Sequence, residues 1–155
     1  LVILSNILSA DRVVPNLHAS SKKQALQELS RRAEKETGLS DRQILDALLE
    51  RERLGSTGVG NGVAIPHGTL AGLTEICGLF ARLEKPINFD AADDQPVDLI
   101  FVLLAPENAG AAHLKTLSKL ARIFRDEESC KRLRELESET ELLGVFTDNL
   151  ASAAA

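Results

Sequence analysis

Apolar residues recur at helical spacing in the first third of the chain and bunch into unbroken runs in the middle. Ala25, Leu26, Leu29 and Ala33 form one helical stripe, opened by the capping box Ser21-Lys-Lys-Gln24 and stopped by Gly38. A second box, Ser40-Asp-Arg-Gln43, opens a helix with Ile44, Leu45, Leu48 and Leu49 inward, so the two predict a helical hairpin with a short joint. The glycine density of 55–62 ends that helix. Val63-Ala64-Ile65 reads as a short strand and 75–83 as a longer one. The run 97–104 (VDLIFVLL), between Pro96 and Pro106, reads as a central strand covered on both faces. Residues 84–96 read as a polar, acidic connection. Leu117, Leu120 and Phe124 predict a helix over about 110–125, another follows through 127–137, and Ser138-Glu-Thr-Glu141 caps a last one. Helices that precede, interrupt and follow strands predict an α/β fold, one layered domain. With 155 residues and no internal repeat, the expected division is a single domain over 1–150 and a short tail over 151–155.

Composition narrows the function classes. Aromatics are scarce, with five Phe and neither Tyr nor Trp, and the formal charge is −5. Base-stacking platforms and phosphate-backbone footprints both start badly on such a chain, so no nucleic-acid partner is expected. No apolar run approaches the ~18 residues of a spanning helix, so no direct membrane insertion is expected either. Cys77 and Cys130 make neither a CxxC motif nor a disulfide framework and read as reduced thiols of a cytoplasmic protein.

The chemistry concentrates in 55–68, GSTGVGNGVAIPHG. A phosphate-binding P-loop fails because Asn61 and Gly62 stand where Lys and Ser/Thr are required, and a dinucleotide fingerprint fails because Val63 replaces its last glycine. Turning the chain would account for one or two glycines. Gly55, Gly58, Gly60 and Gly62 around Ser56, Thr57 and Asn61 instead suggest free backbone N–H groups and hydroxyls suited to an anion or to a partner's backbone. His67 follows between Pro66 and Gly68, where Pro66 biases Ile65 towards extended backbone and Gly68 is expected to turn the chain sharply. His113 extends the inward stripe of Leu117, Leu120 and Phe124, and Arg51 extends that of Ile44 and Leu48. Two imidazoles and a guanidinium aimed inward beside such a loop suggest a phosphate site. Competing readings are a metal-dependent hydrolase using His18, His67 and His113, which lacks any HExxH signature, and a small-anion sensor on the same loop. Asp90, Asp93, Asp94 and Asp98 lack EF-hand spacing and read as a solvated loop. No metal and no cofactor are expected.

These residues resemble the active-site signature of phosphotransferase-system enzyme IIA domains of the fructose/mannitol type (EIIA type 2), closest to the nitrogen-regulatory branch. Supporting stretches are SKKQAL, LLERERLGSTG, INFDAADDQPVDLIFVLLAP and HLKTLSKLAR, and the resemblance runs from about residue 5 to 148. It implies a sandwich with a mixed central sheet flanked by helices. It also implies a phosphocarrier in a phosphoenolpyruvate-dependent relay, with a phosphohistidine intermediate. His67 would accept the phosphoryl group from a small HPr-like phosphocarrier protein, and His113 and Arg51 would orient and stabilise it. Ser56, Thr57, Gly58, Gly60, Asn61 and Gly68 would form the phosphate- and partner-binding loop. Downstream, the resemblance implies either regulatory protein targets, read by phosphorylation state, or a IIB subunit in sugar transport. Which nitrogen of His67 reacts is not legible in the sequence.

Overall fold

The computed structural model describes residues 6–154, with side chains through 148; residues 1–5 of the predicted domain and Ala155 of the tail lie outside the described residues. Six strands and five helices follow a short 3-10 turn at Ala10–Arg12. They are β1 (Val13–Leu17), α1 (Lys22–Thr37), α2 (Asp41–Arg53), β2 (Gly58–Gly60), β3 (Val63–Ala64), β4 (His67–Leu70), β5 (Cys77–Ile87), β6 (Val97–Pro106), α3 (Gly110–Arg125), α4 (Glu127–Glu135) and α5 (Glu139–Ala154).

The sheet is mixed, in the order β1-β5-β6-β3-β2, with β4 also pairing β6. β6 runs antiparallel to β5 and parallel to both β3 and β4. From Leu99 to Leu104 its side chains alternate between two cores. Ile100, Val102 and Leu104 join Leu26, Leu29, Ile44 and Leu48 of α1 and α2 on one face. Leu99, Phe101 and Leu103 join Leu120, Phe124, Leu133 and Phe146 of α3, α4 and α5 on the other. Four of the five phenylalanines, Phe80, Phe101, Phe124 and Phe146, meet mostly edge to face in that second core. The layered α/β expectation and the two-sided central strand are both met.

The helix starts are where their boxes put them, but only one box is reciprocal. Ser138 Oγ accepts the Glu141 amide at 3.1 Å and donates to the Glu141 carboxylate at 3.0 Å. At α1, Ser21 accepts from the Gln24 amide while the Gln24 side chain reaches back to Ser20. At α2, Ser40 caps Gln43, whose amide group donates to the Ala71 carbonyl instead. Two expectations need correction. The connection 84–96 is neither wholly polar nor wholly loop: β5 continues to Ile87, and Phe89 and Ala91 are buried. Val63-Ala64-Ile65 ends at Ala64, because Pro66 has no N–H for the ladder and pairing with β6 resumes only at His67.

Candidate functional site

His67 opens β4 immediately after this break in the pairing with β6, with its ring half-buried. Its Nδ1 lies 2.7 Å from the Ile65 carbonyl oxygen, which can only accept, so Nδ1 carries the proton. Arg51 Nε, which can only donate, meets Nε2 at 3.1 Å. Two neighbours with one permitted role each fix the same tautomer and leave the lone pair on Nε2. A second guanidinium nitrogen of Arg51 donates to the Gly55 carbonyl at 2.8 Å and anchors the side chain. Burial pushes the His67 pKa below its ordinary 6.5; the Ile65 carbonyl opposes this, Arg51 adds to it and Glu52 opposes it. The ring is therefore neutral at physiological pH.

His113 comes from the first turn of α3 and is buried. Its ring centroid is 5.7 Å from that of His67, with the planes at 65°. Burial, then the neighbouring His67, lowers its pKa too. Among the described residues its Nδ1 has no hydrogen-bond partner. A buried orphan of this kind costs about 1–3 kcal/mol, so its retention asks for an explanation. Arg51, His67 and His113 are thus brought together from α2, the sheet edge and α3.

The glycine stretch divides into two parts. Gly55 lies beside the site, through the Arg51 contact. The Ser56 hydroxyl donates to the Phe89 carbonyl at 2.6 Å and accepts the Gly58 amide at 3.0 Å. Thr57, 3% exposed, gives both its amide (3.1 Å) and its hydroxyl to the Glu52 carboxylate. Both hydroxyls therefore hold the loop in shape, contrary to the expectation that they serve as free donors. Gly58 is required by packing, since a Cβ there would lie 2.7 Å from Ala91 Cβ. Gly60 and Asn61 belong to a hairpin turn between β2 and β3, in which Asn61 and Gly62 have φ of 57° and 79°, as a type I′ turn demands. Val63 pairs with Leu99 and His67 with Leu103. Four residues at ~3.3 Å each separate the turn's end of β3 from His67 by roughly 13 Å. The turn is held by Asp93, which accepts the Asn61 amide, and by Arg134, which donates to the Asn61 carbonyl and forks onto Asp98. Gly60 and Asn61 are accordingly remote from the ring. Gly68 lies in extended β4 and does not turn the chain; it lets α2 approach, a Cβ there meeting Ala47 Cβ at 3.4 Å.

His18 sits beyond the end of β1, three strands or roughly 14 Å from β4 across the sheet and displaced along the strands as well, pairing with Glu84 at 3.1 Å. It does not join the other two histidines. No group of three or more His, Cys, Asp or Glu among the described residues is placed to hold a metal ion, and none of the described helices is long and apolar enough to cross a membrane.

Two residues absent from the sequence reading stand behind the site. Glu52 is paired with Lys22 at 2.7 Å, their side chains 6% and 19% exposed. Lys22 Nζ also lies 4.9 Å over the Phe89 ring. The signal for Glu52 was available, since it continues the i, i+4 stripe of Ile44 and Leu48 as well as Arg51 does.

Residues 6–149 match the family described as the phosphoenolpyruvate-dependent sugar phosphotransferase system, EIIA 2. A nitrogen regulatory protein of Bradyrhizobium diazoefficiens is 48% identical over 151 residues, 97% of this chain and 99% of that protein. One from Escherichia coli K12 is 45% identical over 94% of this chain and 90% of its own length. The crystal structure of nitrogen regulatory protein IIA-Ntr from Neisseria meningitidis superposes with a TM-score of 0.90 at 42% identity, covering 93% of this chain and 99% of that one.

Proposed function

Since this chain belongs to the phosphoenolpyruvate-dependent sugar phosphotransferase system EIIA 2 family, we propose that it is a phosphocarrier of the nitrogen-related branch, with His67 as the residue that takes the phosphoryl group. The observation that carries this reading is the single available lone pair on His67 Nε2, with Nδ1 tied to the Ile65 carbonyl and Arg51 in front of the acceptor nitrogen.

The chemistry is a displacement at phosphorus. Nε2 attacks, a P–N bond forms, and the bond to the donor breaks with its electron pair leaving on the donor. Nδ1 keeps its proton throughout, and its bond to Ile65 stabilises the positive character the ring acquires. Arg51 moves off the lone pair and onto the equatorial oxygens, for which its fork is suited. The unpartnered His113 Nδ1 supplies a further contact to a phosphoryl oxygen. The depressed pKa of His67 keeps the acceptor unprotonated at and somewhat below neutral pH.

The donor in this reading is a small HPr-like phosphocarrier protein. Leu54 and Leu114, 81% and 65% exposed, follow Arg51 by three residues and His113 by one, and offer a protein partner exposed apolar side chains on the two helices that support His67. Phosphorylation there changes charge and bulk at the contact surface, and so the affinity for regulatory targets. Two free, buried thiols suit a cytoplasmic setting for this relay.

Incubation with phosphoenolpyruvate, enzyme I and an HPr-like carrier should add one acid-labile, base-stable phosphate per chain. His67→Ala should take up none, and wild-type labelling of that variant would refute the assignment. Efficient onward transfer to a sugar IIB protein would move the downstream role from regulation to sugar transport.

A further inference from the structure

We propose that Glu52, with Lys22 as its counter-ion, is a positioning residue for phosphoryl transfer, fixing the tautomer and orientation of His67 through Thr57 and Ile65. This rests on the reading that His67 is the acceptor.

The path is continuous in hydrogen bonds. The Glu52 carboxylate accepts the Thr57 amide at 3.1 Å and the Thr57 hydroxyl. The Thr57 carbonyl accepts the Ile65 amide at 3.0 Å. The Ile65 carbonyl accepts His67 Nδ1–H at 2.7 Å. Beyond Ile65, Pro66 fixes its own φ and its carbonyl accepts the Leu103 amide at 2.9 Å, so the acceptor for Nδ1–H is held from both sides.

Among the described residues Glu52 makes no hydrogen bond to the ring; beyond the negative charge it sets near the imidazole, its work is done through the loop. A carboxylate with Lys22 at 2.7 Å can accept every donor that converges on it. A glutamine there has one carbonyl oxygen for the Thr57 amide and Lys22, and its NH₂ group can face only the Thr57 hydroxyl, which must turn from donating to accepting. The hydroxyl proton then loses its acceptor and Lys22 its counter-charge, the 55–57 segment shifts, and the carbonyl that selects the tautomer shifts with it. Lys22 is the matching requirement. Its ammonium, set over the Phe89 ring, allows a charged carboxylate to stay 6% exposed.

The experiment uses the full chain and two readouts on each sample: the ¹⁵N–¹H correlation spectrum of the His67 ring, and the single-turnover rate of phosphorylation from a phosphorylated HPr-like carrier. Wild type should show Nδ1 protonated and Nε2 bare. E52Q should show mixed tautomers and a rate reduced about tenfold or more, with the carrier concentration at half-maximal rate unchanged. Thr57→Val should follow it and Thr57→Ser should restore the wild-type spectrum and rate. Lys22→Met should follow E52Q, with Lys22→Arg restoring. Should E52Q not fold, the Thr57 pair carries the test. A folded E52Q or Thr57→Val with the wild-type ring spectrum overturns the proposal, including when its melting temperature has dropped, because that outcome leaves Glu52 a purely structural role. The ring spectrum does not depend on turnover. An unchanged tautomer therefore defeats this proposal and leaves the acceptor assignment standing, whereas labelled His67→Ala defeats the acceptor assignment on which this proposal rests.

Discussion

Each of the three residues at the site faces a different local cost. Arg51 is anchored by Gly55, and His67 is held at both ring nitrogens, but His113 keeps a buried Nδ1 with nothing to bind among the described residues. A phosphoryl oxygen would relieve that cost, most of all during transfer, when charge is spread over the equatorial oxygens, so His113 should matter more to the transition state than to the resting one. His113→Ala should still accept phosphate slowly and should pass it on about 10²-fold more slowly than wild type, the usual scale for a lost stabilising contact. Rapid-quench rates measured in both directions test this, and wild-type values in both would remove His113 from the site. The three candidates were legible because Pro66 and Gly68 flank one and inward stripes lead to the others. Lys22 and Glu52 are harder to read, because charges at helix ends ordinarily lie in water even where, as for Glu52, the stripe points inward. Nothing in a string of letters tells which charges will meet 2.7 Å apart in the interior.

Among the elements, helices announced themselves through caps and periodicity, whereas three strands did not. β1 contains Pro15, tolerated because β1 is the sheet's edge and its register shifts there. β4 reads HGTL, with one buried residue in four, and forms only because β6 offers it a parallel partner. β2 was hidden inside the glycine loop, although Asn61-Gly62 is the strongest short signal for a two-residue hairpin. Recognising it reverses the meaning of Gly60. At φ +100°, Gly60→Ala should cost about 1 kcal/mol or more in a denaturant melt while the folded fraction is phosphorylated at the wild-type rate. Gly58→Ala should cost more, since its Cβ would meet the side chain of Ala91 at 2.7 Å and its backbone at 3.0 Å. Slowed transfer in fully folded Gly60→Ala would return the turn to the site.

The molecule as a whole is a sheet between two helical layers, and the site draws on all three. Arg51 belongs to the layer of α1 and α2, His67 to the sheet, and His113 to the layer of α3 to α5. This predicts a pH signature of the fold. Above the ordinary histidine value of 6.5 neither folded nor unfolded chain protonates these rings, and their contribution to stability is fully present. As pH falls below 6.5 the unfolded chain binds protons that the folded chain resists, so stability declines until the lowered folded pKa values are passed. Urea midpoints measured from pH 7.5 to 5 should fall for wild type, and the fall should be shallower in the His67→Ala, His113→Ala double variant. Parallel slopes would mean that the rings titrate as they do in the unfolded chain. The α/β layering was legible because β6 is apolar on both faces, but the meeting of the layers at one edge depends on strand order, which the local pattern does not encode. On the proposed reading no single layer contains His67 and both its supports, so a chain with one layer undocked should take the phosphoryl group slowly at best. Phosphorylation would then double as an inspection of the finished product: incomplete copies would be under-represented in the relay, and its signal would be weighted towards molecules that have completed folding.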